Sequence, residues 1–141
     1  MAEITWKYVK EIKNANAIEE FEKTNSIQFP DDLRSILKKY NNGRPSAKCF
    51  DTQNAKEKEF KKLLSFNKDD TENIFEFVAF DTKLSGLIPF ADDPSGNLIC
   101  LYQGKIYYWL HESDSVEYLA DSFTEFLGKL YCTSRVATDL F

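Results

Sequence analysis

Two apolar runs only three residues apart constrain this chain more than any other feature. Leu98 to Tyr102 and Ile106 to Leu110 are apolar at nearly every position, with Gln103-Gly104-Lys105 between them. Short runs this close together read as neighbouring antiparallel strands. A third run, Leu87 to Phe90, precedes them across Ala91-Asp92-Asp93-Pro94-Ser95-Gly96-Asn97, a stretch dense in turn formers. Together they predict a central antiparallel β-meander. A sheet with one wet face would alternate apolar and polar residues. These runs do not, so both faces are expected to be partly covered, or one to carry exposed aromatics.

Helical spacing dominates on either side. Leu33, Ile36, Leu37 and Tyr40 mark one face of a helix. Pro30 suits its first turn, Asp31 and Asp32 its positive end, and Lys38 and Lys39 its negative end. Asn41-Asn42-Gly43 is a stop, with Gly43 expected to take the left-handed cap. Asn16 and Glu19 predict a capping box opening a helix through Ile18 and Phe21. Trp6, Val9 and Ile12, spaced by three, predict a short helix before it. Leu63 to Phe66 reads as a strand, and Asp69 or Asp70 as the cap of a helix through Ile74 to Val78. Ser122 and Glu125 predict a capping box for a closing helix with Phe123, Phe126, Leu127 and Leu130 on one face. Helices, then strands, then a helix make an α+β fold: one compact domain over residues 1–141.

Bulk chemistry narrows the function. Twelve Phe and seven Tyr supply ample core. The N-terminus lacks a basic segment followed by an apolar one, and no run is long enough to span a bilayer, so a cytoplasmic protein away from membranes is expected. Cys49, Cys100 and Cys132 fit neither a disulfide framework nor zinc spacing. Net charge is −5, and between Leu87 and Asp121 six acids face a single base, Lys105. That segment is either a solubilising face or an acidic surface that attracts a basic partner. Direct nucleic-acid binding is disfavoured, because phosphate contact needs clustered Lys and Arg.

Catalytic chemistry has little to build on. His111 is the single histidine. A nucleophilic hydrolase would have to be assembled around it and the nearby acids, yet Glu112 is its sequence neighbour and would point to the opposite face of a strand. There is no nucleophile elbow and no Gly-rich phosphate loop. Asp93, Ser95 and Asn97 alternate as in a calcium loop, but Gly104 stands where the closing Glu belongs. Asp92 and Asp93 therefore read as turn residues that could also touch a partner. No catalytic residue, cofactor or metal is assigned. Tyr107, Tyr108 and Trp109 are either core or binding anchors, since Tyr and Trp are enriched at hot spots.

Two blocks carry a family resemblance. The first runs from Ile18-Glu19-Glu20-Phe21-Glu22 through Phe29-Pro30-Asp31-Asp32-Leu33 to Tyr40-Asn41-Asn42-Gly43. The second joins Ile88-Pro89-Phe90-Ala91-Asp92-Asp93 and Gly96-Asn97 to Tyr107-Tyr108-Trp109, His111-Glu112 and Ser122-Phe123-Thr124-Glu125-Phe126-Leu127. In order and spacing, over residues 18–130, the chain resembles the SUKH superfamily in its Smi-one/Knr-four type branch. It departs from the common pattern at Asn42, where a second Gly often stands. The resemblance implies a compact α+β binding domain without shared catalytic activity. Bacterial members commonly act as immunity proteins bound to toxin domains, many of them nucleases; eukaryotic relatives are regulatory or scaffold proteins. The expectation is a cytoplasmic immunity protein whose partner is a cognate toxin domain, with a regulatory domain lacking any toxin partner as the alternative. Partner-binding candidates are Asp92, Asp93, Tyr108, Trp109, Glu112, Asp114 and Glu117. An exposed aromatic face could also be shared in a homodimer.

Overall fold

The computed structural model describes residues 3–132. Its centre is a five-stranded antiparallel sheet in the order β5 (Lys62–Leu63), β6 (Ile88–Asp92), β7 (Leu98–Tyr102), β8 (Lys105–Leu110) and β9 (Ser115–Ala120). The expected meander is β6 to β8. Strand β9 extends it by pairing Val116 with Trp109 and Tyr118 with Tyr107.

One face of the sheet is fully covered and the other in part, each by a different set of side chains. Phe90, Ile99, Leu101, Ile106 and Tyr108 join the main core. Among the described residues four helices contribute to that core: α1 (Ala17–Asn25), α2 (Asp31–Lys39), α3 (Ile74–Phe77) and α4 (Phe123–Lys129). Leu98, Cys100 and Trp109 point the other way and pack with Leu87, Phe77 and Phe80. This two-sided burial is why β6 and β7 show no alternation. A bulge between Pro89 and Ala91 turns both Phe90 and Ala91 into the main core.

Helix α2 forms as its spacing predicts, with Leu33 and Leu37 fully buried. Helix α4 has the predicted cap: Ser122 Oγ accepts from Glu125 N at 3.1 Å. Helix α1 starts at the expected place without the capping box. Asn14 substitutes, accepting from Asn16 N at 3.0 Å and donating to Glu20 at 2.9 Å. The cap of α3 is Asn73, which accepts from Glu76 N at 3.0 Å; Asp70 instead binds Ser65 and Asn67.

The N-terminal helix does not form. Trp6–Lys7 is a strand, β1, paired with β2 (Arg44–Pro45). Trp6 stacks on Tyr40 with centroids 5.5 Å apart and meets Phe60 edge-on. Those tertiary partners override a weak local spacing. The stop after α2 also works differently from expectation. Asn42, not Gly43, takes the left-handed conformation, at φ 68°. Gly43 is needed for close approach: a Cβ there would sit 2.7 Å from the Tyr40 carbonyl and 3.2 Å from the Trp6 ring. A second small ribbon, β3 (Cys49–Phe50) with β4 (Lys58–Glu59), leads into β5.

Candidate functional site

The turn between β6 and β7 is built on one carboxylate. Asp93 Oδ1 accepts from Ser95 N and Asn97 N, both at 2.8 Å, and Gly96 supplies φ 89°. Asp93 Oδ2 accepts from Asn97 Nδ2 at 3.0 Å and from the Tyr108 hydroxyl. Asn97 Oδ1 in turn accepts from His111 N at 3.0 Å. Asp93, Asn97 and Tyr108 are all buried. Burial, then the Asp93 carboxylate, pushes the Tyr108 hydroxyl above its ordinary pKa, so it stays a donor.

A second aspartate works on the opposite face. Asp114 Oδ1 accepts from Trp109 Nε1 at 2.7 Å and from the Thr82 hydroxyl, and Oδ2 accepts from Lys83 N at 2.7 Å. Those donors hold its carboxyl below the ordinary value. The result is a clasp tying residues 82–83 beside Trp109. Phe80 meets the Trp109 ring edge-on at 4.7 Å.

Beyond the clasp, the same sheet face carries three tyrosines in a row. Tyr102 and Tyr107 meet edge-on at 5.7 Å, and Tyr107 and Tyr118 at 5.9 Å. Tyr118 is 46% exposed. Its hydroxyl donates to Asp121 at 2.6 Å, which pushes its pKa up to about 12. Lys105 reaches Asp121 at 3.7 Å. Cross-strand pairing makes the row, because Cys100 opposes Tyr107 and Tyr107 opposes Tyr118.

A family model described as SMI1-KNR4 cell-wall, in the SUKH series, matches residues 15–127. The chain belongs to the SUKH superfamily. No curated protein matches it. The matched span contains the whole five-stranded sheet and leaves β1 outside.

Within this SUKH domain the seven sequence candidates separate. Asp92, Asp93, Tyr108 and Trp109 are each at most 5% exposed, so they have almost no surface to offer a partner. Asp93 and Tyr108 hold the turn, and Trp109 anchors the clasp. Glu112 is exposed, while Asp114 and Glu117 are half-buried. Glu117 Oε1 is buried without a hydrogen bond. The candidate acidic face therefore shrinks to Glu112, Asp114 and Asp121, because Glu117 opposes Tyr108 and so faces the main-core side of the sheet.

Asp92 has a separate fate. It is buried with Oδ1 lacking any hydrogen bond. Burial first, then contact with the Glu72 carboxyl, pushes its pKa up to about 7. Burial acts on Glu72 too, but the Lys61 ammonium at 2.7 Å, the contact with Asp92 and the charge of Lys62 outweigh it and bring Glu72 down to about 2. Below neutrality the pair holds one proton, on Asp92.

His111 is exposed, and its ring lies beside Gly96. Among the described residues no side chain hydrogen-bonds that ring, so no acid orients it as a base. Among the same residues, no group of three or more His, Cys, Asp or Glu is placed to hold a metal ion, and no helix is long and apolar enough to cross a membrane. Tyr118, the most exposed member of the tyrosine row, was not a sequence candidate. Its signal was the pairing of Val116 and Tyr118 on one face of β9, which is read only once β8 is known as the partner.

Proposed function

We propose that this SUKH domain is a cytoplasmic immunity protein. It binds a cognate toxin domain stoichiometrically and neutralises it by occlusion, transforming no bond of its own. The observation that carries this reading is the tyrosine row Tyr102–Tyr107–Tyr118 on the outward sheet face. It is a rigid, amphipathic surface with Asp121 at one end and Asp114 and Glu112 near the β8–β9 turn. Tyrosines supply large contact area at low entropic cost, which favours slow dissociation. The acids supply fast, salt-sensitive encounter with a basic surface such as that of a nuclease.

The test is co-expression with the toxin encoded beside its gene. Wild type should rescue growth and co-elute with the toxin from a sizing column. Tyr118→Ala should weaken the complex roughly tenfold, the scale of one interface anchor. His111→Ala should neutralise as well as wild type. Failure of rescue with no complex would overturn toxin neutralisation for that pair and favour the regulatory alternative. Loss of rescue in His111→Ala, with binding retained, would favour hydrolysis.

A further inference from the structure

At the β5 end of the sheet lies a feature that toxin neutralisation does not use: a basic groove in an acidic protein. The groove has a volume of about 400 Å³, and Lys7, Tyr8, Arg44, Lys48, Glu59 and Lys61 line it. In the β1–β2 ribbon, Lys7 stands directly opposite Arg44. Like charges in that position repel and destabilise the pair. Among the described residues, neither has a carboxylate partner. Trp6 and Pro45, the neighbouring pair, occupy the other side of the ribbon, where Trp6 packs into the core.

Tyr8 is held in place just as deliberately. It is 70% exposed and adopts φ 60°, a left-handed conformation that a bulky residue rarely takes. Its carbonyl accepts from Asn42 Nδ2 at 2.9 Å, and buried Lys62 donates to Asn42 Oδ1 at 2.5 Å. A buried amide and a buried ammonium thus fix the backbone from which the exposed ring projects. That ring lies 5.5 Å from the Arg44 guanidinium. A guanidinium at this distance over an aromatic face gains a cation–π attraction while its N–H groups stay free for an oxyanion.

We propose that this groove binds an acidic segment of a partner polypeptide, with Arg44 clamping a carboxylate and Lys7 adding charge. Carboxylate suits the walls better than a run of phosphates. Lys48 already pairs with Glu59 at 3.1 Å and Lys61 with Glu72 at 2.7 Å, which leaves two uncompensated cations at the mouth. A polyphosphate backbone needs a longer array of cations than these two. The groove lies beside the β5 edge and the tyrosine row runs from β7 to β9, so this inference stands independently of toxin neutralisation.

Fluorescence anisotropy with a labelled oligoglutamate peptide tests it, on the full chain. Wild type should bind saturably and lose affinity as salt rises. Arg44→Ala and Tyr8→Ala should each weaken binding roughly tenfold, the scale of losing a charge-assisted bidentate contact. Arg44→Lys should not restore it, because a lysine ammonium cannot form the planar fork. These residues are exposed, so a thermal melt matching wild type is expected for each variant. No saturable binding would overturn the proposal. So would unchanged affinity in Arg44→Ala, full recovery in Arg44→Lys, or tighter binding of a labelled single-stranded oligonucleotide than of the peptide.

Discussion

The β6–β7 turn and the clasp over Trp109 use one device in two settings. Each centres on an aspartate whose two oxygens gather several donors, at least one of them from a different strand or loop. Asp93 gathers Ser95, Asn97 and Tyr108 in the interior; Asp114 gathers Thr82, Lys83 and Trp109 where water has access. Where water cannot replace a lost partner, the hydrogen bonds decide whether the fold survives. Where water can, the same bonds decide which surface is covered. The largest expected effect follows. Asp93→Ala leaves the Tyr108 O–H proton and the Asn97 backbone N–H without an acceptor in the core, and should cost about 3 kcal/mol or more. A urea midpoint measurement checks this. A loss below about 1 kcal/mol would erase the distinction between the two aspartates.

Asp92 sharpens the contrast, because it is as buried as Asp93 but lacks its donors. Its folded pKa, about 7, lies above the ordinary 3.8 of an aspartate, while that of Glu72, about 2, lies below its ordinary 4.5. Below about pH 4 the unfolded chain binds more protons than the folded pair, so raising the pH stabilises the fold. Between about pH 4.5 and 7 the folded pair keeps one proton that the unfolded chain has released, so stability falls as pH rises. The pair alone thus favours the fold most near pH 4. Asp92→Asn should remove the decline across the upper window, a difference on the order of 1 kcal/mol or more. Urea midpoints for both proteins at the two ends of that window measure it. An equal decline in both would assign the effect to other groups.

These contrasts also show what a sequence can reveal. The meander, α2 and α4 were legible because their signals are local: apolar runs, helical spacing and a Ser–Glu cap. Strand β1 was not. Trp6 finds its partners at Tyr40, Gly43 and Phe60, far along the chain, and three apolar residues spaced by three mimic a helix. The aspartates of the Asp-Asp-Pro-Ser-Gly-Asn stretch were legible as turn formers, but not as buried ones. Burial depends on the Tyr108 hydroxyl arriving from β8 for Asp93, and on Glu72, Lys61 and Lys62 for Asp92. Tyr118 stayed hidden for a related reason: its value lies in the row it completes, and the row exists only across strands. Periodicity reports which way a residue faces along its own element. It says nothing about what the facing element brings.

The smallest expected effect tests the clasp, and the three cysteines make it measurable. Cys132 is exposed, Cys49 is buried, and Cys100 is fully buried in the cluster that Phe77 and Phe80 complete. Burial pushes the Cys100 thiol above its ordinary pKa, which suppresses the reactive thiolate. Asp114→Ala removes the acceptor shared by Thr82, Lys83 and Trp109, at a site that lies outside the main core. The main core should therefore hold, with a urea midpoint close to wild type. Phe80 should leave Trp109 more often, and maleimide labelling of Cys100 should speed up while Cys49 stays protected. If Cys49 and Cys100 speed up together, the clasp supports the whole fold and the two aspartates are equivalent. If neither changes, Phe80 packing alone covers this face, and the surface near the tyrosine row is fixed without the carboxylate.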